Sequence, residues 1–169
     1  EQSDAIMLSG ETSVGKYPVR SVETLIRIAR RTENFPGVNF TEKLIKVNNG
    51  QYLAASAIQI ATNLKIRATI VITRNGRGAG YLSNLRPRRI GIYSFTNSPK
   101  VFTSMMLYRG VYPFLMELRD NPEETIQDAL GILQKMEVFA AEEQVVVLAN
   151  ILTGDGYRTS LQIRSIPAA

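Results

Sequence analysis

The chain has 169 residues, of which 44% are apolar and 21% charged, a balance that is usual for a globular protein. Cysteine and histidine are absent, which excludes disulfides, thiol nucleophiles, zinc–thiolate sites and every Ser-His or Cys-His catalytic pair. No apolar run approaches the about 18 residues of a membrane span, and the acidic start lacks the basic stretch of a secretory signal. We therefore expect a cytoplasmic protein without a membrane partner, and a binding module rather than a self-sufficient catalyst.

The net charge of +5 attracts anions in general, including nucleic acids and phosphorylated metabolites. The basic residues are scattered, apart from the run Arg-Pro-Arg-Arg at residues 86–89, which is most simply a solvated turn. No pattern of interleaved aromatic and basic residues accompanies the charge. Nucleic-acid binding is therefore the weaker alternative, and we expect no nucleic-acid partner.

The first third of the chain predicts one βα unit followed by a linker. Residues 5–8 are a short apolar run that predicts a strand, and a loop of small and polar residues follows. Pro18 suits the first position of a helix. The apolar residues that follow it at helical spacing are Val22, Leu25, Ile26 and Ala29. One such unit cannot be stable alone, and the aperiodic residues 35–49 predict a linker.

From Gly50 onward, predicted helices and strands alternate. The predicted strands are residues 70–72, 90–95, 111–116, 144–150 and 161–163. Four helices are predicted between them. The first is residues 50–64, with Leu53, Ala57, Ala61 and Leu64 on one face, and the second is a short stretch through Leu82 and Leu85. The third runs from Pro99 through Tyr108, and the fourth begins at Pro122 with the buried stripe Ile126, Ala129, Leu130 and Leu133. Such alternation predicts an α/β fold, an open and mostly parallel five-stranded sheet with helices on both faces.

Three residue patterns refine this prediction. Ser98 before Pro99 and Asn121 before Pro122 each combine a capping side chain with proline at the first helical position. Pro113 places the third strand at a sheet edge, because proline cannot donate to a ladder. The nearly uniform apolar run at residues 144–150 predicts a central strand covered on both faces.

Two loops that follow predicted strands contain glycine and polar residues. Residues 73–78 (Thr-Arg-Asn-Gly-Arg-Gly) lie between a strand and a helix, where backbone N–H groups and two arginines can hold a phosphate. A tight connection also uses glycine for purely steric reasons. Residues 152–160 offer flexible glycines and several donors, but a hairpin into the last strand explains them equally well.

A resemblance to a known family rests on three segments. Residues 4–12 (Asp-Ala-Ile-Met-Leu-Ser-Gly-Glu-Thr) with residues 15–19 (Gly-Lys-Tyr-Pro-Val) resemble the last strand, loop and helix of the catalytic barrel of pyruvate kinases. Residues 70–77 with Arg86-Pro87, and residues 107–113, agree with the same family in order and spacing, so the resemblance runs from Asp4 to Pro167. It implies that residues 1–34 are a remnant of the (β/α)8 barrel, that 35–49 are a linker, and that 50–169 are a C-terminal regulatory domain.

The resemblance also implies a parent enzyme and its cofactors. Pyruvate kinases transfer phosphate from phosphoenolpyruvate to ADP in glycolysis, giving pyruvate and ATP, with magnesium and potassium held by residues from earlier barrel strands. None of those strands is in this sequence, so we expect no catalytic residue and no bound metal here. The family is usually tetrameric through contacts that include this domain. We therefore expect a homo-oligomer, with a dimer as the state of the fragment.

In pyruvate kinases the two loops meet and form a pocket for a sugar-phosphate activator. The resemblance implies that the first loop holds one phosphate and that the second closes over the other end. The effector-binding residues so implied are Thr73, Arg74, Asn75, Gly76, Arg77 and Gly78, with Thr153, Gly154, Asp155, Gly156, Tyr157 and Arg158. Many activated relatives have hydroxyl residues in place of Asn75 and Gly78, so a bisphosphate, a monophosphate, a nucleotide or no effector all stay open. The alternative from another class is a freestanding phosphometabolite sensor without kinase activity.

Overall fold

A computed structural model describes residues 3–34, 44–136, 138–153 and 156–168, without the side chains of residues 150–153 and 157. The chain divides into two compact units, Glu1–Asn39 and Phe40–Ala169. The first contains the helices α1 (Gly10–Ser13) and α2 (Pro18–Glu33), and α2 begins at Pro18 as its sequence predicts.

The strand predicted at residues 5–8 is wrong, because the backbone there is not in a strand. A strand forms only where a neighbour accepts and donates its backbone hydrogen bonds, and the described part of this unit contains no second strand. The following loop instead forms the single turn α1, in which the Thr12 hydroxyl donates to the Ser9 carbonyl at 2.9 Å. Gly15 lets the chain turn closely after α1, since a Cβ there would lie 2.4 Å from the Glu11 carbonyl oxygen.

The second unit is one sheet covered by helices. Its strands are β1 (Ala68–Ile72), β2 (Gly91–Thr96), β3 (Val111–Leu115), β4 (Gln144–Thr153) and β5 (Gly156–Ser165). Its helices are α3 (Asn49–Asn63), α4 (Arg77–Asn84), α5 (Pro99–Met105) and α6 (Pro122–Lys135). The strand order is β3-β2-β1-β4-β5, with β5 antiparallel to β4 and the other pairs parallel. The predicted fold class is confirmed.

Alternate residues of the strands build a separate apolar core on each face of the sheet. Val71 and Ile92 pack with the small residues of α3 and with α4 and α5, whereas Ile70 and Phe95 pack with α6. The stripe predicted for α6 is buried throughout, each residue at most 2% exposed. Its three branched residues contribute about 1.5–3 kcal/mol each by burial. The prediction for Leu64 is wrong: α3 ends at Asn63, and Leu64 is its half-exposed C-terminal cap.

The helix starts follow from capping side chains. Ser98 accepts the N–H of Val101 and Asn121 accepts the N–H of Glu123, which confirms both predicted starts. A third cap was not predicted: Asn48 accepts the N–H of Gln51, and α3 therefore begins at Asn49. At the edge of the sheet, Pro113 of β3 lies opposite Ser94 of β2, so the predicted edge position is confirmed.

The amino-terminal edge of the sheet is closed by a pair between Arg67, just before β1, and Glu143, just before β4. The Arg67 Nη2 atom donates to the Glu143 carboxylate at 2.9 Å and also to the Val138 carbonyl. Its guanidinium lies over the Phe139 ring, 4.7 Å from the centroid. The hydrogen bonds from Arg67 hold the pKa of Glu143 below its ordinary value. This pair ties together the starts of two adjacent strands.

The basic run at residues 86–89 also has a structural role at this edge. Lys65 follows the last turn of α3 and Arg86 follows the last turn of α4, both with left-handed backbone (φ of 58° and 52°). That conformation ends a helix, and a cation there faces the negative end of the helix dipole. Lys65 and Arg86 therefore each stand just after a helix end, where a positive charge is favourable.

The Thr69 hydroxyl, in the centre of β1, is fully buried and has no hydrogen-bond partner among the described residues. We expect Thr69→Val, which keeps the shape and removes this hydroxyl, to leave stability unchanged or raise it by up to about 1 kcal/mol. Thr125→Val is the matched control, since the equally buried Thr125 hydroxyl accepts the Arg119 N–H at 2.9 Å and its loss should cost about 1–3 kcal/mol. Urea unfolding of the three proteins measures the difference. Equal destabilisation by both changes would contradict the unpaired state of Thr69.

Candidate effector site

The order of the strands places the ends of β1 and β4 side by side. From β1 the chain moves outward through β2 to β3, with α4 and α5 on one face, and then returns past β1 to β4 with α6 on the other face. Right-handed crossovers in opposite directions require this change of face. Val71 of β1 lies opposite Leu148 of β4, so both strands end at the same edge. The site is therefore at the switch point where open α/β sheets bind ligands.

The loop from Thr73 to Gly78 is folded by its own side chains. Thr73 is buried, and its hydroxyl accepts the Gly76 N–H at 3.0 Å. The Asn75 side-chain oxygen accepts the Arg77 N–H at 3.1 Å. Gly76 has a φ of 76°, which only glycine adopts without strain, and it immediately precedes α4. These contacts give the loop a defined shape before any ligand is present.

Gly78 brings the start of α4 directly onto the end of β1. A Cβ at this position would lie 2.8 Å from the Val71 Cγ2 atom, so no larger residue fits without movement. The amides in the first turn of a helix have no acceptor within the helix and carry the positive end of its dipole. This first turn contains Arg77 and no acidic residue. The start of α4 is therefore suited to an anion.

Two cavities flank the end of β1. The first, which we call the α4-side cavity, has a volume of about 340 Å³ and includes Arg74, Arg77 and Gly78 with Gly50, Tyr81 and Thr159 in its wall. The second, which we call the α6-side cavity, has a volume of about 280 Å³ and is lined by Leu118, Arg119, Pro122 and Thr125. Both also include Ile72, Thr73, Arg74 and Ala149. They are thus adjoining halves of one cleft.

The second predicted loop is the turn of the β4–β5 hairpin. Its strands continue past the last β1 partner, and Thr153 pairs with Gly156, which has a φ of 101°. Because Thr153 lies four residues after Ala149, its backbone stands roughly 13 Å beyond the end of β1. Gly154 and Asp155 lie outside the described residues, as do the side chains of Thr153 and Tyr157. Arg158 is exposed and pairs with Ile151 in the ladder.

Sequence reasoning missed the α6 half of the cleft. It considered only glycine-containing loops, whereas residues 118–125 are the end of the connection after β3 and the first turn of α6. Because β3 is parallel to β2 and β1, its carboxyl end opens at the same edge. The predicted edge strand followed by the cap at Asn121 was the signal that could have located this half.

Two other kinds of feature are absent from the described ranges. No helix among these residues is long and apolar enough to cross a membrane. Within the same ranges no group of three or more acidic residues is placed to hold a metal ion.

Comparison with known proteins identifies the family. Residues 51–163 match the family described as "Pyruvate kinase, alpha/beta domain". The chain belongs to the pyruvate kinase family. Pyruvate kinase isozyme G, chloroplastic, from Ricinus communis is 37% identical over 151 residues, which are 88% of this chain and 36% of that protein. The pyruvate kinase of Sporosarcina psychrophila is 31% identical over 163 residues, 94% of this chain and 28% of that protein. The resemblance read from the sequence is confirmed.

Solved structures agree with this assignment at the level of the fold. A crystal structure of a pyruvate kinase from Cryptosporidium parvum superposes with a TM-score of 0.78 at 22% identity, over 95% of this chain and 33% of that one. The pyruvate kinase of the same organism in complex with ADP gives 0.77 at 23% identity, with the same coverage. The chain thus spans about a third of the length of these pyruvate kinases.

We expect Gly78→Ala to destabilise the second unit by about 1–3 kcal/mol, because the new methyl group would press against Val71. Gly80→Ala is the matched control in the same helix, since a Cβ there meets only ordinary contacts with Tyr108 at 3.6 Å and more. That change should be neutral or stabilising by up to about 1 kcal/mol. Urea unfolding compares the two. Equal stability of both variants would show that α4 is not held tightly on β1.

Proposed function

We propose that this chain is the regulatory and assembly portion of a pyruvate kinase and that its cleft binds a phosphorylated effector, a sugar phosphate or a nucleotide. The observation that carries this proposal is the position of the loop 73–78. It presents the start of α4, with Arg74 and Arg77, at the point where the strand order reverses. Arginine recognises phosphate through paired hydrogen bonds, and the backbone amides of α4 add uncharged donors.

The second loop is the proposed cover of the site. The β4–β5 ladder continues to the pair Thr153–Gly156, past the last residue of β4 that pairs with β1, and this extension supports the proposal that the second loop closes over a bound ligand. Thr159, which sits in the wall of the α4-side cavity, links this hairpin to the floor of the site. In this proposal, closure of the hairpin over a bound effector signals to the rest of the enzyme that the site is occupied.

The activity of the whole enzyme is also a proposal. The matched relatives are pyruvate kinases, and one solved neighbour holds ADP. We assign the parent enzyme the transfer of phosphate from phosphoenolpyruvate to ADP, with magnesium and potassium bound by barrel residues that this chain does not contain. Assembly into a homotetramer, with a dimer of the fragment, belongs to the same proposal. A cytoplasmic location stays a prediction, since the relatives include chloroplastic isozymes.

We expect inorganic phosphate and sugar phosphates to raise the melting temperature of the chain, by roughly 5–10 °C at a hundredfold excess over Kd. Arg77→Ala should abolish this shift because it removes a cation from the start of α4. Arg88→Ala is the matched control: it removes the same charge at the opposite edge of the sheet and should leave the shift unchanged. An equal shift in wild type and Arg77→Ala would refute the assignment of the loop.

We expect the purified 169-residue chain to show no turnover of phosphoenolpyruvate and ADP, because the metal-binding barrel strands are not part of it. A coupled assay that follows pyruvate formation, with magnesium and potassium present, measures this. The control is the same assay with an active pyruvate kinase added to the mixture. Turnover by the chain alone would contradict the proposal that the catalytic residues lie in barrel strands outside this chain. The alternative is a freestanding phosphometabolite sensor. It would be favoured if the chain bound phosphate and its natural full-length protein proved to lack the barrel.

A further inference from the structure

The composition of the chain restricts where oxidants act on it. Cysteine, histidine and tryptophan are absent, which leaves seven tyrosines and five methionines as the readily oxidised side chains. Two-electron oxidants such as peroxides convert methionine to its sulfoxide. A one-electron oxidant instead takes its electron from a phenol, because tyrosine releases its phenolic proton together with the electron. One-electron oxidation of this chain is therefore directed to its tyrosines.

Two tyrosines of adjacent strands are stacked on each other at the edge of the sheet. Tyr93 of β2 lies directly opposite Tyr112 of β3 in the parallel ladder. The centroids of the two rings are 5.2 Å apart, and the ring planes differ by 21°. No other two tyrosine rings are in contact among the side chains that the structure describes. Because paired strands lie about 4.8 Å apart, the ladder itself holds these two rings together.

The two rings differ in their access to solvent. Tyr112 is 54% exposed, whereas Tyr93 is 9% exposed. Phe114 and Phe139 also enclose the Tyr93 ring, with centroids 6.4 Å and 5.2 Å away. Burial raises the pKa of the Tyr93 phenol, so this phenol holds its proton more strongly than an exposed one does. A dissolved oxidant therefore meets Tyr112 first, and Tyr93 is the phenol within reach of the Tyr112 radical.

We infer that Tyr93 and Tyr112 form a site of oxidative crosslinking, at which a one-electron oxidant, such as a peroxidase intermediate or a metal-centred photo-oxidant, joins the two rings as dityrosine. The oxidant removes one electron from each phenol in two successive steps, and each phenolic proton passes to water. The two phenoxyl radicals then couple through ring carbons ortho to the oxygens, which forms one C–C bond. Each ring moves the hydrogen of its coupled carbon back to its oxygen. The product has thus lost two electrons and two protons.

The crosslink would join the edge strand of the sheet covalently to its neighbour. β3 pairs only with β2, and an edge strand with one partner opens more easily than a central strand. The new bond closes the chain from residue 93 to residue 112, which restricts the unfolded chain in the same way as a disulfide does. The inference is independent of the proposed function, because neither tyrosine lines the cleft at the end of β1.

Photo-oxidation of the dilute chain with tris(bipyridyl)ruthenium and persulfate tests the site. We expect a monomer with the blue fluorescence of dityrosine. Trypsin places Tyr93 in residues 90–100 and Tyr112 in residues 110–119, so a linked pair of these peptides identifies the bond. Tyr112→Phe and Tyr93→Phe each keep a ring but should abolish this pair. Tyr52→Phe is the matched control, since Tyr52 is 58% exposed but stacks on no other described ring, and it should leave the yield unchanged.

The absence of dityrosine, its formation only between chains, or equal formation in Tyr112→Phe would refute the inference. Urea unfolding measures the consequence for the fold. The crosslinked chain is compared with Tyr112→Phe after the same treatment, so that oxidation of the methionines is common to both. We expect the crosslinked chain to unfold at the higher urea concentration. An equal or lower midpoint would show that the bond does not form within the native pairing of β2 and β3.

Discussion

The parallel pairing of β1 with β4 is the contact on which the rest of the molecule depends. It joins strands that are more than seventy residues apart in the chain and reverses the direction in which the sheet grows. Because right-handed crossovers change face when they change direction, this pairing also sends α6 to the face opposite α4. The cleft at the end of β1 therefore has a helix start on each side, and it would not exist if the strands followed one another in order.

The two helix starts show how one geometry gives two chemistries. α4 begins after Gly76 with an arginine in its first turn and with amides that have no acceptor within the helix. α6 begins with a capping asparagine, a proline and two glutamates, and these carboxylates offset the positive end of its dipole. The fold places both starts at the cleft, and their side chains give the two starts opposite charge, with Arg77 at α4 and Glu123 and Glu124 at α6.

Much of the second unit follows from local patterns. Pro113 predicted the edge position of β3, the apolar run of β4 predicted a strand with a neighbour on each side, and the caps Ser98 and Asn121 predicted two helix starts. The same reasoning failed at residues 5–8, whose apolar pattern is that of a strand but whose described unit offers no partner. The prediction that Leu64 lies on the buried face of α3 failed because the helix ends at Asn63, and helical spacing no longer places a residue beyond that point on the same face. Apolar periodicity shows that a segment is able to be buried, but the segment is buried only where another element packs against it.

The sequence by itself determined the α/β class, the family resemblance and the loop 73–78, because turn chemistry, caps and periodicity act over a few residues. Only the tertiary structure decided that the carboxyl ends of β1, β4 and the β3–α6 connection share one edge. It also decided that Arg119 pairs with Asp128, nine residues further along the chain. The physical reason is that the pairing of strands distant in the chain, and the charges that this pairing brings together, produce no pattern in the local sequence.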